Sequence, residues 1–436
     1  MSFSRLLTVT CILCLMSLVA AHATADSWPG FRGASGDGVS PETGIPSHWT
    51  ETEGVAWSTP LRGLGNSSPA VVGDRIYLTS FDAKDQSLWV IAVGRGTGEV
   101  VWEKRIGQGD LIAYGPPDLY QHRHNPATAS PCVDDDGNVY AFFGTGDLVC
   151  LDRDGNEVWR HYIPDEYGPY DLKFGMASSP RLWGELLYIT CVHKGPSYVL
   201  ALNRKTGREV WLADRNYLAM GDATDAYTSP VVLVQADHAP QLIVTGCNHA
   251  DAYDLSTGKR VWSDGGLLLP EEEYGRINAS PTVGDGMVLV NSAKNQLCIA
   301  IRADGQGDIT GSGHELWKSK GMADCPTATI HGGIVYSVRD EGVGAAFDLK
   351  TGKELWRQRV LPGRTQASPV VADGKVYFLA LDGQCVVVRE GTEYAVVSKN
   401  SLPVGDYYAT PAISDGMIFV RERSRLYGIR GTAAAQ

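Results

Sequence analysis

Four absences narrow the reading of this 436-residue chain. Beyond residue 25 there is no uninterrupted apolar run of about 20 residues, so no membrane-spanning helix is expected in the mature form. No two cysteines are adjacent, and Cys132, Cys150, Cys191, Cys247, Cys298, Cys325 and Cys385 have no C-x-x-C spacing. That excludes a zinc ribbon and a haem-attachment motif and gives a disulfide framework little support; free thiols of this kind pack as small apolar groups. Positive charge is scarce: 38 Lys and Arg stand against 50 Asp and Glu, a net charge of −12. An acidic surface argues against nucleic acid or an anionic membrane as main partner. Finally, there is no G-x-S-x-G, no G-x-x-x-x-G-K-[ST] and no H-E-x-x-H.

What is present points to strands. Apolar residues make up 43% and charged residues 20%, as in soluble domains, while 50 glycines, 11 tryptophans and 19 tyrosines suggest many tight turns and β-strands. Residues 1–25 read as a signal peptide: Arg5, then "LLTVTCILCLMSLVAA", then "AHATA" with small-x-small cleavage sites after Ala23 or Ala25. Cys11 and Cys14 lack the context of a lipid-attachment site, so the expectation is a released protein, periplasmic or secreted. The remainder divides into an N-terminal extension (26–53), one large domain (54–431) and a short tail (432–436).

A period runs through the large domain. A small or polar residue precedes Pro69, Pro131, Pro180, Pro230, Pro281, Pro326, Pro369 and Pro411. From Pro69 to Pro411 these eight markers make seven intervals of about 49 residues, a propeller-blade period. Hairpin patterns follow, as in "TVGDGMVLVNS" (282–292) and "VVADGKVYFLA" (370–380), with Gly and Asp supplying the positive φ of a tight turn. A third strand and a fourth, tryptophan-bearing strand complete each unit. The fold class expected is all-β, an eight-bladed β-propeller of four-stranded antiparallel blades. The last repeat stops after three strands, and Trp57 precedes the first marker. Residues 54–61 are therefore expected to supply the outer strand of the eighth blade and close the ring.

A second fixed pattern is A-x-x-x-x-T-G-x-x-x-W. Ala92, Ala201, Ala252 and Ala346 stand ten residues before Trp102, Trp211, Trp262 and Trp356, with Gly98, Gly207, Gly258 and Gly352 four before. Trp159, with Cys150, and Trp317, with Ala300, are length variants, and Trp57 opens the series. The reading is a structural dock, in which Ala leaves room, Gly offers a flat backbone, and the tryptophan of the same unit covers both. "GRGTG" (94–98) lies on this turn and needs no phosphate. Blade seven, "EGTEYAVVSKN", lacks the tryptophan.

This pattern resembles the tryptophan-docking repeat of the quinoprotein-like propellers, which include PQQ-dependent alcohol dehydrogenases and BamB-type outer-membrane assembly factors; the resemblance implies that the motif girdles the ring and locks blade to blade. The resemblance covers about 54–431. It implies either a PQQ-dependent oxidoreductase of alcohols or sugars, with calcium, or a non-catalytic scaffold for other exported or envelope proteins. The enzymes of the family use two adjacent cysteines, a stacking tryptophan, an Asp base and calcium-binding oxygens; the missing Cys-Cys pair favours the scaffold, with no cofactor.

The unrepeated loops between units are where binding is expected. Lys173, Tyr227, Asn278, Arg364, Gln366 and Tyr408 lie two to seven residues before their prolines, near the channel mouth, and form a candidate site for a small ligand or a protein. His122 and His124, alternate residues of a segment read as extended, join them as candidates; no metal site is assigned. "DGQGDITGSGHE" (304–315) has acidic spacing like a calcium loop, but Ile309 stands where glycine is needed, and a long hairpin is the expectation.

Overall fold

The computed structural model describes residues 27–117, 120–267, 274–292 and 297–431, so the expected signal peptide and the 432–436 tail lie outside the described residues. The hairpin patterns fold as read. Asp285-Gly286, Asp373-Gly374 and Asp415-Gly416 all have positive φ, the pair of left-handed residues that a two-residue hairpin turn requires. Each unit is a four-stranded antiparallel sheet, and eight such blades form the ring, with apolar residues of adjoining sheets packed between them. The ring closes as expected: Val55–Pro60 pairs antiparallel with Arg425–Ile429, setting Trp57 opposite Gly428 and completing the eighth blade.

The docking motif spans two blades rather than one. Within a blade the alanine and tryptophan are cross-strand partners, as in Ala92 with Trp102, Ala201 with Trp211 and Ala346 with Trp356. The glycine seat, however, receives the tryptophan of the blade before. A methyl group on Gly98 would lie 2.6 Å from the Trp57 ring, on Gly207 2.9 Å from Trp159, on Gly258 2.5 Å from Trp211, and on Gly352 2.5 Å from Trp317. Each indole N–H then donates to a carbonyl of the next blade, for example Trp211 to Leu255 at 2.9 Å and Trp102 to Arg153 at 2.9 Å. Trp262 therefore does not cover Gly258. It is fully buried and donates to Gln241 of its own blade at 3.0 Å.

The two irregular positions have separate solutions. Residues 304–315 are the insertion that replaces the seat for Trp262. Gly307–Asp308 adds a fifth, parallel strand to blade four, Gly307 pairing with Trp262. In blade seven Ser398 occupies the tryptophan register, opposite Val387. Its hydroxyl donates to the Ser47 carbonyl, and Asn400 accepts the Trp49 N–H at 3.0 Å. Trp49 and Ile45, both buried, fill that seam from the N-terminal extension.

The extension also runs across the channel. Trp28 forms an antiparallel bridge with Val71 of blade one, and the Pro29 carbonyl accepts from Val133 of blade two. Val39–Ser40 pairs parallel with Val371–Ala372 of blade seven. Between these ends, buried Arg32 donates to the Thr327 carbonyl at 3.1 Å and the Ala328 carbonyl at 2.7 Å in blade six. Arg181 of blade three donates to the Phe31 and Gly33 carbonyls at 2.8 and 3.0 Å. The glycines of "RGASGDG" are needed here: a methyl on Gly36 would lie 2.5 Å from the Arg181 guanidinium. Arg32 also donates to the Gly36 and Asp37 carbonyls and has no carboxylate within 4.0 Å among the described residues, so this strap is held by carbonyls rather than by an ion pair; burial pushes the guanidinium down to about 9.

Candidate functional site: the channel cavity

Where the inner strands begin, the residue before the marker proline does more than start a strand. The N–H of Ser68 donates to the Ser130 hydroxyl at 2.8 Å, and Ser130 N–H to Ser179 at 3.0 Å. The series continues through Ser229, Ser280, Thr327, Ser368 and Thr410, and Thr410 N–H donates back to Ser68 at 3.0 Å. Eight residues, one per blade, thus form a closed hydrogen-bonded ring around the channel. The ring corrects one marker. In blade six the member is Thr327, followed by Ala328, so Pro326 stands two residues out of register with Pro281. The hydroxyl, not the proline, is the repeated requirement, because it accepts the neighbouring blade's otherwise unpaired N–H.

Above the ring is a cavity of about 280 Å³, with Phe31 of the strap at its base. All eight ring residues line it, with side chains from the loops that join one blade to the next. Of the eight candidate residues, His124, Tyr227, Asn278, Arg364, Gln366 and Tyr408 line the cavity; His122 and Lys173 do not. His122 is exposed, and its carbonyl accepts from Tyr408 at 3.2 Å and Arg423 at 3.1 Å. The 120–124 segment is a turn, with Arg123 and His124 N–H both bonded to the Tyr120 carbonyl, so the two histidine rings are not set side by side as in an extended strand. His124 pairs with Thr128 at 2.7 Å, and burial pushes its imidazole down to about 4. Lys173 reaches Asp222 at 3.7 Å, beside the closer Arg276–Asp222 pair at 2.6 Å.

Sequence reasoning missed several lining groups: Arg123, Arg276, Phe174, Asp324, Cys325 and Asp340. One carboxylate oxygen each of Asp324 and Asp340, with the Cys325 sulfur, lie within 4.8 Å of one another. Asn278 holds Asp324 at 2.5 Å, and the Cys325 N–H holds Asp340 at 3.2 Å. Burial raises the Asp340 carboxyl above the ordinary range and raises the Cys325 thiol further still, so this cysteine is not a ready nucleophile. Arg123 stands between the two flagged histidines and Asp324 two residues before the marker Pro326, but the loops that unite them are far apart in the chain and follow no period.

Around this cavity the loop face exposes large apolar side chains. Leu218 is 98% exposed and Tyr274 60%, with Tyr114 and Met220 each about half exposed, on the connections after blades three, four and one. Among the described residues no helix is long and apolar enough to cross a membrane.

Comparison with known proteins agrees with this architecture. The sequence model of the family described as "Outer membrane protein assembly factor BamB" matches residues 47–168, 87–308 and 305–394. A BamB of Burkholderia pseudomallei is 25% identical over 403 residues, covering 88% of this chain and 90% of that protein. The BamB crystal structure from Moraxella catarrhalis superposes with a TM-score of 0.62 at 16% identity, covering 86% of this chain and 98% of that one. A europium-containing methanol dehydrogenase superposes with a TM-score of 0.67 at 14% identity, covering 93% and 91%. At such identities the two structures speak for the fold alone.

Proposed function

The chain belongs to the outer membrane protein assembly factor BamB family, and on that premise we propose that it is an exported, non-catalytic scaffold that holds envelope proteins through its loop face. The observation that carries this reading is that the blade-to-blade connections on the cavity's side expose Tyr114, Leu218, Met220 and Tyr274. Solvent-exposed apolar groups gathered on one face mark protein docking, whereas the singly exposed valines of the outer strands need no such reading. The test is complementation. Deleting the gene in its host should lower the amount of folded β-barrel protein in the outer membrane, and the wild-type chain should restore it. A Leu218→Asp, Met220→Asp double variant with an unchanged melting curve should fail to restore it; full restoration would remove the docking face from the proposal.

The second reading, a PQQ-dependent oxidoreductase, has one observation in its favour: Asn278, Asp324 and Asp340 bring oxygens into the cavity. The rest of the quinone site does not fit. No tryptophan is among the lining residues, no adjacent cysteines exist in the sequence, and Phe31 occupies the base. Purified protein mixed with PQQ and calcium should show no bound-quinone absorbance and no dye reduction with alcohols or sugars. Turnover would overturn the scaffold reading.

A further inference from the structure

The cavity holds four charges that do not neutralise one another. Arg123 and Arg364 line it with no carboxylate within 4.0 Å among the described residues, and Asp324 and Asp340 line it with no Lys or Arg that close. Opposite charges in one cavity collapse into ion pairs when their side chains can reach. Here the backbone around each is fixed. The Asn66 amide holds the Arg123 carbonyl at 2.7 Å, and the Thr365 N–H, next to Arg364, donates to the Asp340 carbonyl at 2.9 Å. Asn278 and the Cys325 N–H hold the two carboxylates. Arg423 adds positive charge beside Tyr408, 5.9 Å from its ring. Arg276 is committed to Asp222.

We propose that this cavity binds a small zwitterion of the α-amino-acid type with an apolar or aromatic side chain, its carboxylate set against Arg123 and Arg364 and its ammonium between Asp324 and Asp340. The acid pair suits an ammonium. One nitrogen at about 2.8 Å from each of two oxygens can serve both across any separation up to about 5.6 Å, and these oxygens lie within 4.8 Å. The guanidiniums suit a carboxylate through paired, charge-assisted bonds. The ring hydroxyls accept backbone N–H groups and, among the described residues, donate to no protein acceptor, so their O–H groups are available to a ligand. Phe31 at the base, with Tyr120 and Phe174, supplies apolar lining for a side chain. A ligand of one sign leaves the opposite pair of charges desolvated without a partner, which is how such a site selects. The cavity and the apolar rim are separate surfaces, so the inference does not rest on the docking role.

Calorimetric titration of the full purified chain with L-phenylalanine, phenethylamine and 3-phenylpropionate tests it. L-Phenylalanine should bind at least tenfold more tightly than either single-charge analogue. Arg364→Ala should weaken phenylalanine at least tenfold with its melting curve unchanged, and Asp324→Asn should do the same. If an Asp324 variant is unstable, Arg364→Ala decides alone, since that side chain is exposed. Three ligands binding within twofold of one another, no saturable phenylalanine heat at millimolar concentration, or wild-type affinity in Arg364→Ala would each overturn the assignment. So would calcium or zinc chloride that saturates alone and abolishes phenylalanine binding, because the acid pair would then belong to a metal.

Discussion

The outer girdle and the channel mouth of this ring are built from the same blades by opposite rules. In the girdle one solution recurs: an indole from one blade lies on a left-handed glycine of the next and donates to a carbonyl beside it. In the mouth no residue recurs above the hydroxyl ring, and the loops bring together charges that the scaffold holds apart. Repetition stabilises and variation recognises, which is why the repeated motif locates the fold and says little about the ligand. The N-terminal extension links the two regions, filling the girdle where blade seven lacks its tryptophan and crossing the channel beneath the cavity.

The hardest way to break that link is to remove it. A chain lacking residues 26–63 loses the strap, the Trp49 filler and the closing strand together, and leaves Arg425–Ile429 as a bare edge. Cooperative melting should disappear. A truncated chain that still melts sharply at the wild-type temperature would show that the ring closes without its N-terminal strand.

That strap was not legible in the sequence, and the reason is physical. Blade period, hairpin turns and ring closure were readable because each repeats or completes a repeat. "RGASGDG" repeats nothing; its glycines answer to Arg32 and Arg181, and the second of these comes from a blade some 150 positions away. The direction of docking was illegible for a related reason. A period of about 49 residues says that a tryptophan meets a glycine four positions earlier in some blade. It does not say which blade, and Gly258 in fact receives Trp211. Thr327 escapes the proline marker because the hydroxyl, not the residue after it, is what the ring requires, and Ala328 follows it. Among the mouth residues, position just ahead of a marker found Tyr227, Asn278, Arg364, Gln366 and Tyr408, while the acid pair and Arg123 needed the folded loops.

A smaller change sharpens the girdle itself. Gly258 and Gly374 share a φ of 69°, but a methyl on Gly258 meets the Trp211 ring at 2.5 Å while one on Gly374 meets nothing within 4 Å. Gly374→Ala should therefore lose only the left-handed backbone penalty, about 1–2 kcal/mol. Gly258→Ala should lose that and a further ~2 kcal/mol for displacing the indole. Urea unfolding of the two variants gives the difference directly. Equal losses would mean that the seat is decorative and that the tryptophans stabilise only through their own blades.

The smallest effect concerns the seam rebuilt by the insertion beside Trp262. Asp264 is fully buried with neither carboxylate oxygen hydrogen-bonded to a donor. Burial, and then the neighbouring Glu315, raise its carboxyl from 3.8 to about 7. Glu315 is held below its ordinary range, its bond to Lys318 at 2.7 Å favouring the ionised form. Unfolded, Asp264 ionises near its ordinary value. Between about pH 4 and pH 7 the folded chain thus keeps a proton that the unfolded chain has released. Stability must fall as pH rises through that window, and the contribution is flat above it. Asp264→Asn keeps an N–H donor facing Glu315 and has no proton to lose. Its melting temperature should match wild type near pH 5 and exceed it by about 1–2 °C at pH 8. Parallel melting curves for the two proteins from pH 5 to pH 8 would show that the carboxyl is ionised throughout, and that the insertion closes over a charge rather than over a proton.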